Sequence, residues 1–311
     1  MKILIVDKIH PSFNNFLKKA NIDYKVNLHE SKSKIHELIN EYDGIVIRSR
    51  FVIDKQFIDN CKNLKFIARA GSGMENIDSQ YAKKYDIHCF NTAEGNSEAV
   101  AQHCICLIIS LLKNITKSSF EIKSKIWIRE ENRGLEINKK TIGIFGYGNV
   151  GKKLANYLSL FGCKIIIYDK NKEKYNSDTI LQKIYDESDI ISLNINYDKS
   201  NYHFCDDNFI SNFKKNIYII NTSRGKCLST KDLILNIKKS KVVGAGLDVL
   251  EDENSNFKLN KNSKDLNFLN KCDKVILTPH IAGLTYESDE KISEILFKKI
   301  IKILKQNWQY F

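Results

Sequence analysis

The stretch at 141–155, TIGIFGYGNVGKKLA, constrains the fold of this chain more than any other segment. An apolar strand runs into a turn with glycines at 146, 148 and 151 and continues as a helix. Gly146 permits the tight turn, Gly148 leaves the backbone open at the helix N-terminus, and Gly151 lets helix and strand pack closely. Asp169 then ends the next apolar run, KIIIYD, 18 residues after Gly151. Strand, glycine turn, helix, strand and terminal acid in this spacing predict two parallel strands joined by a helical crossover.

The same alternation extends in both directions. After 141 come TIGIF, KIIIY (164–168), DIISLNI (189–195), NIYIINT (216–222), VVGAGLDV (242–249) and KVILT (274–278), which predict a six-stranded doubly wound sheet. Before it lie KILIV (2–6), YKVNL (24–28), GIVIR (44–48), KFIARA (65–70) and HCF (88–90). Helical segments such as SKSKIHELINEY, with Ser31 as N-cap, separate these runs and predict a first parallel α/β unit. From about Asn96 one long helix is expected over SEAVAQHCICLIISLLKNI, followed by a polar segment through WIREENRG. The final stretch, EKISEILFKKIIKILKQ, is expected to pack as a helix on one of the two units. At 311 residues with 42% apolar composition, the chain can fill two cores.

Composition narrows the function classes. MKILIV reads as a strand and lacks a secretory signal pattern, and the apolar run CICLIISLL at 104–112 is too short to span a bilayer. The expectation is a soluble cytoplasmic protein with no membrane partner. The net charge of +12 comes from 43 Lys and 6 Arg spread over the whole chain, so no nucleic-acid partner is expected. Eight scattered cysteines contain no CxxC pair, and His103, Cys104 and Cys106 fall in an apolar helix, which predicts reduced thiols and no metal.

Ligands of open parallel sheets bind at the carboxyl ends of the strands. The glycine turn and Asp169 together predict a dinucleotide site, with the acid accepting hydrogen bonds from a ribose 2′-hydroxyl and repelling a 2′-phosphate. This favours NAD over NADP, although Lys170 and Lys172 soften the preference. Three later strand ends supply reactive groups: Arg224 in INTSRGK, Asp248 with Glu251, Asp252 and Glu253 in GLDVLEDE, and His280 in ILTPHIAG. Taken singly, these read equally well as a surface arginine, a solvated acidic turn and a structural histidine. Together they supply the anion clamp, the proton carrier and the orienting carboxylate needed for hydride transfer to a keto acid. Pro279, one of only two prolines, stiffens the strand exit so that His280 is presented in a defined direction.

In this order and spacing, GYGNVG, NTSRG, GLDVLEDE and TPHIAG resemble the D-isomer-specific 2-hydroxyacid dehydrogenases over essentially the whole chain. RAGSGMENID and WIREENRG look most like the D-3-phosphoglycerate dehydrogenases that lack a C-terminal regulatory domain. The resemblance implies an α/β fold of two doubly wound parallel-sheet domains, with a Rossmann cofactor domain at 95–286 inserted in a flavodoxin-like substrate domain at 1–94 and 287–311. It implies that Arg224 binds the substrate, His280 is the acid/base and Glu253 is its partner. To NAD it assigns Gly146, Tyr147, Gly148, Asn149, Val150, Gly151, Asp169, Thr222, Ser223, Asp248 and Gly283, with Asp248 on the nicotinamide carboxamide. Arg48, Ser49, Ser72 and Gly73 match substrate-anchoring loops. Arg129, with Trp127, matches an arm that reaches a partner's active site in a homodimer. The six arginines include Arg48, Arg50, Arg69 and Arg129, which suits a phosphorylated 2-hydroxy acid. The family pattern is broken by Asn254, where proline usually follows the glutamate, and by Asn194 and Asn196, in a loop that usually carries His and Pro.

Overall fold

The computed structural model describes residues 1–171, 173–175, 177–253, 259 and 263–307. The chain divides into two compact units, Met1–Ser97 with Leu284–Phe311, and Glu98–Gly283.

The first unit holds five parallel strands: β1 (Lys2–Ile5), β2 (Asp23–Val26), β3 (Gly44–Ile47), β4 (Phe66–Arg69) and β5 (His88–Phe90), in the order β2-β1-β3-β4-β5. Successive side chains of a strand point to opposite faces, so both faces must be covered when nearly every residue is apolar. Leu4, Ile45 and Ile47 pack with Ile35 and Phe57 on one side. Ile3, Ile5, Val46 and Phe66 pack with Phe13, Leu17, Ile292 and Leu296 on the other. Each such fully buried side chain contributes on the order of 1.5–3 kcal/mol. The C-terminal helix Tyr286–Asn307 thus belongs to this unit, and Phe297 stacks on Phe16 with ring centroids 5.4 Å apart. Ser31 caps its helix as expected, accepting a hydrogen bond from the Lys34 amide at 3.2 Å.

The second unit holds six parallel strands: β6 (Thr141–Phe145), β7 (Lys164–Tyr168), β8 (Ile190–Leu193), β9 (Ile217–Asn221), β10 (Val242–Leu247) and β11 (Val275–Leu277). Their order is β7-β6-β8-β9-β10-β11. The chain leaves β6 toward one edge and returns to β8 on the other side, so the sheet reverses direction between β6 and β8. Crevices form at such a reversal, and the glycine turn opens directly above it.

The long helix expected after Asn96 is broken. It runs over Ser97–Leu112, Asn114 takes a left-handed φ of 53°, and a second helix occupies Ile115–Lys123. Asparagine tolerates this conformation because its short polar side chain relieves the steric cost. The polar segment that follows therefore begins as helix. Among the described residues, no single helix is long and apolar enough to cross a membrane.

Candidate active site

The glycine turn is shaped by close backbone approach. Gly146 has φ of +94°, and its N–H donates to the Tyr168 carbonyl at 2.8 Å. A Cβ on Gly146 would lie 2.5 Å from the Asn194 carbonyl oxygen, and one on Gly151 would overlap the Gly146 carbonyl oxygen. A Cβ on Gly148 would meet nothing within 4 Å. The turn therefore excludes side chains where strand and helix touch and leaves open space where the helix Asn149–Leu160 begins. No side chain caps that N-terminus, so the first amides, from Asn149, Val150 and Gly151 onward, can receive an anion.

Asp169 is tied to the same turn. Its Oδ2 accepts from the Tyr147 amide at 2.7 Å and its Oδ1 from the Asn171 amide at 2.9 Å. Lys170, beside it, donates to Asp198 at 3.1 Å and to Ser200 at 3.0 Å, so its charge has a partner. Lys172 lies outside the described residues. The Asn194 side-chain oxygen is buried next to the turn and has no protein partner, a cost that a ligand hydroxyl would relieve. Open space, an uncapped helix end, an acid at the end of the neighbouring strand and an orphaned acceptor all fit a dinucleotide.

His280 is held in an unusual way. Its φ is +55°, a conformation that costs a non-glycine residue about 1–2 kcal/mol. Its amide donates to the carbonyls of Asp248 at 2.8 Å and Thr278 at 3.0 Å, closing a tight turn around Pro279. Asp248, whose side chain is 1% exposed, fixes the rest of the loop. Its carboxylate accepts from Thr278 Oγ1 at 2.6 Å, the Ile281 amide at 2.9 Å and the Ala282 amide at 2.9 Å. The structure thus gives Asp248 a task that the sequence does not reveal, organising the 278–282 loop. Thr278 in turn meets His103 Nε2 at 3.0 Å.

The three acids of GLDVLEDE separate in space. Glu253 Oε1 lies 2.6 Å from His280 Nδ1, with both side chains mostly buried. Asp252 is exposed. Glu251 pairs with a different imidazole, at 2.5 Å from His203 Nε2, and also accepts from the Thr230 amide at 3.1 Å. With Nδ1–H donated to Glu253, Nε2 of His280 carries the lone pair that can take a proton. Asn254 lies outside the described residues.

Arg224 follows β9 on a loop pinned by Asn221, which is fully buried. Asn221 Oδ1 accepts from the Ser223 amide and hydroxyl at 3.1 and 2.8 Å, and its Nδ2 donates to the Arg224 carbonyl at 3.1 Å. A Cβ on Gly225 would overlap the Leu250 carbonyl, so this loop presses directly on the one that carries Glu253. Thr222 and Ser223 are buried beneath it, and Thr222 Oγ1 meets the Cys104 thiol at 3.1 Å. Gly283 lies just beyond Ala282 at the end of the histidine loop. The second unit therefore brings His280, Glu253 and Arg224 onto neighbouring strand-end loops.

In the first unit, the loops after β3 and β4 meet. Arg69 Nε donates to the Arg48 carbonyl at 3.2 Å, and Asn76 Nδ2 donates to the same oxygen at 3.2 Å. A Cβ on Gly71 would overlap the Arg69 guanidinium, which lies against the backbone just before Ser72 and Gly73. Asn91 Nδ2 holds the Ser72 carbonyl at 2.6 Å. One expectation needs correction. Arg50 does not present itself to an anion: Nη1 donates to the carbonyls of Val6 at 2.7 Å and Asn27 at 2.5 Å, and Nη2 to that of Glu30. Carbonyls at strand ends and in loops need donors, and here the arginine supplies them. In the second unit, Arg129 is exposed at the start of a short 3-10 turn.

Residues 105–282 match the model of the D-isomer specific 2-hydroxyacid dehydrogenase NAD-binding domain. The chain belongs to the D-isomer specific 2-hydroxyacid dehydrogenase family. It is 33% identical to the hydroxypyruvate reductase of Thermotoga maritima over 279 residues, 89% of each chain. It is 29% identical to the D-3-phosphoglycerate dehydrogenase of Archaeoglobus fulgidus over 98% of its own length but only 58% of that protein's. Among solved structures, the D-lactate dehydrogenase of Aquifex aeolicus, complexed with NAD and lactic acid, aligns with a TM-score of 0.83 at 27% identity, covering 98% of this chain and 96% of that one. Membership makes the chain an NAD-dependent oxidoreductase of 2-hydroxy acids. Several residues that shape the site were given no role in the sequence reading. Asn221 and Thr278 open the NTSRG and TPHIAG motifs without a role of their own, His203 lies outside every motif, and Asp7, an acid directly after the first strand KILIV, is the kind of residue that strand-end reasoning could have found.

Proposed function

We propose that the chain interconverts 3-phosphoglycerate and 3-phosphohydroxypyruvate, with Arg224 binding the substrate carboxylate and His280 moving the proton. The observation that carries the catalytic assignment is the 2.6 Å His280–Glu253 pair on a loop beside that of Arg224. Bound NAD supplies the acceptor for the hydride leaving C2. In oxidation, neutral His280 takes the hydroxyl proton at Nε2; in reduction the imidazolium returns it to the new alkoxide. Glu253 orients the ring and offsets its positive charge. Asp248 acts one step back, by holding the 278–282 loop in the form that presents His280. Arg48 and Arg69, beside the Ser72–Gly73 loop, support the phosphorylated substrate.

A second reading, reduction of hydroxypyruvate or glyoxylate, is favoured by the Thermotoga relative and by the internal partners that Arg48 and Arg50 already have. The deciding experiment follows NADH absorbance with 3-phosphohydroxypyruvate, hydroxypyruvate, glyoxylate and 2-oxoglutarate. The phosphorylated acid is expected to give the highest kcat/KM. Turnover of only the unphosphorylated acids replaces the substrate but keeps the mechanism, and tight NADH binding without any turnover points to an NADH sensor.

We also propose a homodimer. Two sets of large apolar side chains stand in solvent on the second unit: Phe120 at 71% and Trp127 at 79% exposure, and Leu160 at 84% beside Phe161. Patches of this kind mark association surfaces. Light scattering behind size exclusion is expected to return about twice the mass of one 36.0 kDa chain; the mass of one chain contradicts the dimer.

A further inference from the structure

We propose that Asp289 tunes selectivity between phosphorylated and unphosphorylated acids by competing within the molecule for Arg48. The inference rests on the proposed function above, in which Arg48 supports the phosphorylated substrate.

The groups of the 48–50 loop are not equally available. Three consecutive amides, from Arg48, Ser49 and Arg50, converge on Asp7 Oδ2 at 2.6, 3.1 and 3.2 Å. Such a nest of amides would otherwise suit an anion, but here a carboxylate of the chain fills it. Arg50 is spent on three backbone carbonyls, whose loss would unpair the ends of the loop. Arg48 is held differently. Its Nη2 meets Asp289 Oδ1 at 3.0 Å, with the two side chains 28% and 37% exposed. Asp289 sits in the first turn of the C-terminal helix, where its backbone is fixed by a bond from its amide to the Thr285 carbonyl at 3.1 Å and by one from Ser293 Oγ to its carbonyl at 3.0 Å. Its carboxylate can therefore swing away while the helix stays in place.

Charge decides the consequence. Arg48, Arg50 and Arg69 bring three positive charges to these loops, and Asp7 and Asp289 bring two negative ones. The Asp289 carboxylate thus offsets part of the attraction for a dianionic phosphate, which must displace or face it. An acid that ends in a hydroxyl meets no such opposition. An isosteric amide at 289 leaves a net positive charge and an unmatched guanidinium, which favours the phosphate selectively.

The test is a binding measurement on the protein–NADH complex, in which no turnover of the hydroxy acids can occur. 3-Phosphoglycerate and D-glycerate are titrated calorimetrically into the native chain, Asp289→Asn, Arg48→Gln and the double variant. Asp289→Asn is expected to raise the affinity ratio of phosphorylated to unphosphorylated acid roughly fivefold, the scale of a partly exposed ion pair. The rise should vanish in the Arg48→Gln background. A purely structural role for Asp289 would change both affinities together. An unchanged ratio, or a rise that survives without Arg48, overturns the inference. Failure of the native complex to bind either acid overturns the functional reading, and this inference with it.

Discussion

Replacing His280 by asparagine is expected to lower kcat by about 10²–10⁴-fold, the range of general acid–base catalysis, while NADH affinity stays close to that of the native chain. The corresponding barrier change is roughly 3–5 kcal/mol. Asparagine is chosen over alanine because residue 280 sits at φ +55°, a conformation asparagine adopts readily. Backbone strain and loss of the proton carrier are thereby separated. The amide bonds to Asp248 and Thr278 do not involve the side chain and should persist. Glu253→Gln keeps a hydrogen-bonding group 2.6 Å from the ring but removes the charge, so its loss in kcat should be smaller. Stopped-flow reduction with NADH fluorescence titration measures both quantities. Equal losses in kcat and NADH affinity for His280→Asn would contradict the assigned role, because nothing in that role binds the cofactor.

Much of the fold was legible because local and long-range requirements agree along this chain. Runs such as TIGIF and NIYIINT read as strands buried on both faces, and that burial calls for helices above and below. The sequence could not show the break at Asn114, since a left-handed φ depends on how two helices pack and not on periodicity. The reactive groups were visible as residue types at strand ends. Their pairings were not visible in residue pattern alone, and Glu253 was named as the partner of His280 only by the family resemblance. GLDVLEDE offers three acids within three positions; in the fold Glu253 lies 2.6 Å from His280, while Glu251 meets His203, a pair that nothing in the sequence pointed to. Arginine near a strand end was read as an anion ligand, but Arg50 answers a more basic demand, pairing backbone carbonyls left over where strands stop. Residue type and position identify a candidate; what already occupies its hydrogen bonds decides its availability.

The glycine turn yields a prediction in which one substitution at two positions gives different results. Gly151→Ala places a Cβ against the Gly146 carbonyl oxygen. That oxygen cannot retreat easily, because Gly146 is held at φ +94° with its amide bonded to Tyr168 and its Cα close to the Asn194 backbone. The helix Asn149–Leu160 must therefore move outward, at an overpacking cost of about 1–3 kcal/mol. Both thermal stability and NADH affinity should fall. Gly148 has φ of −82°, which alanine adopts, and a Cβ there touches no protein atom within 4 Å. Gly148→Ala should accordingly keep the native melting temperature, yet its methyl group occupies the space through which the pyrophosphate approaches the helix amides. NADH affinity is then expected to drop by at least about tenfold, roughly 1.4 kcal/mol, with no change in melting temperature for the unliganded chain. Differential scanning fluorimetry with and without NADH reads both effects in one experiment. If Gly148→Ala binds NADH as the native chain does, the pyrophosphate does not pass over residue 148, and the open space there has another cause.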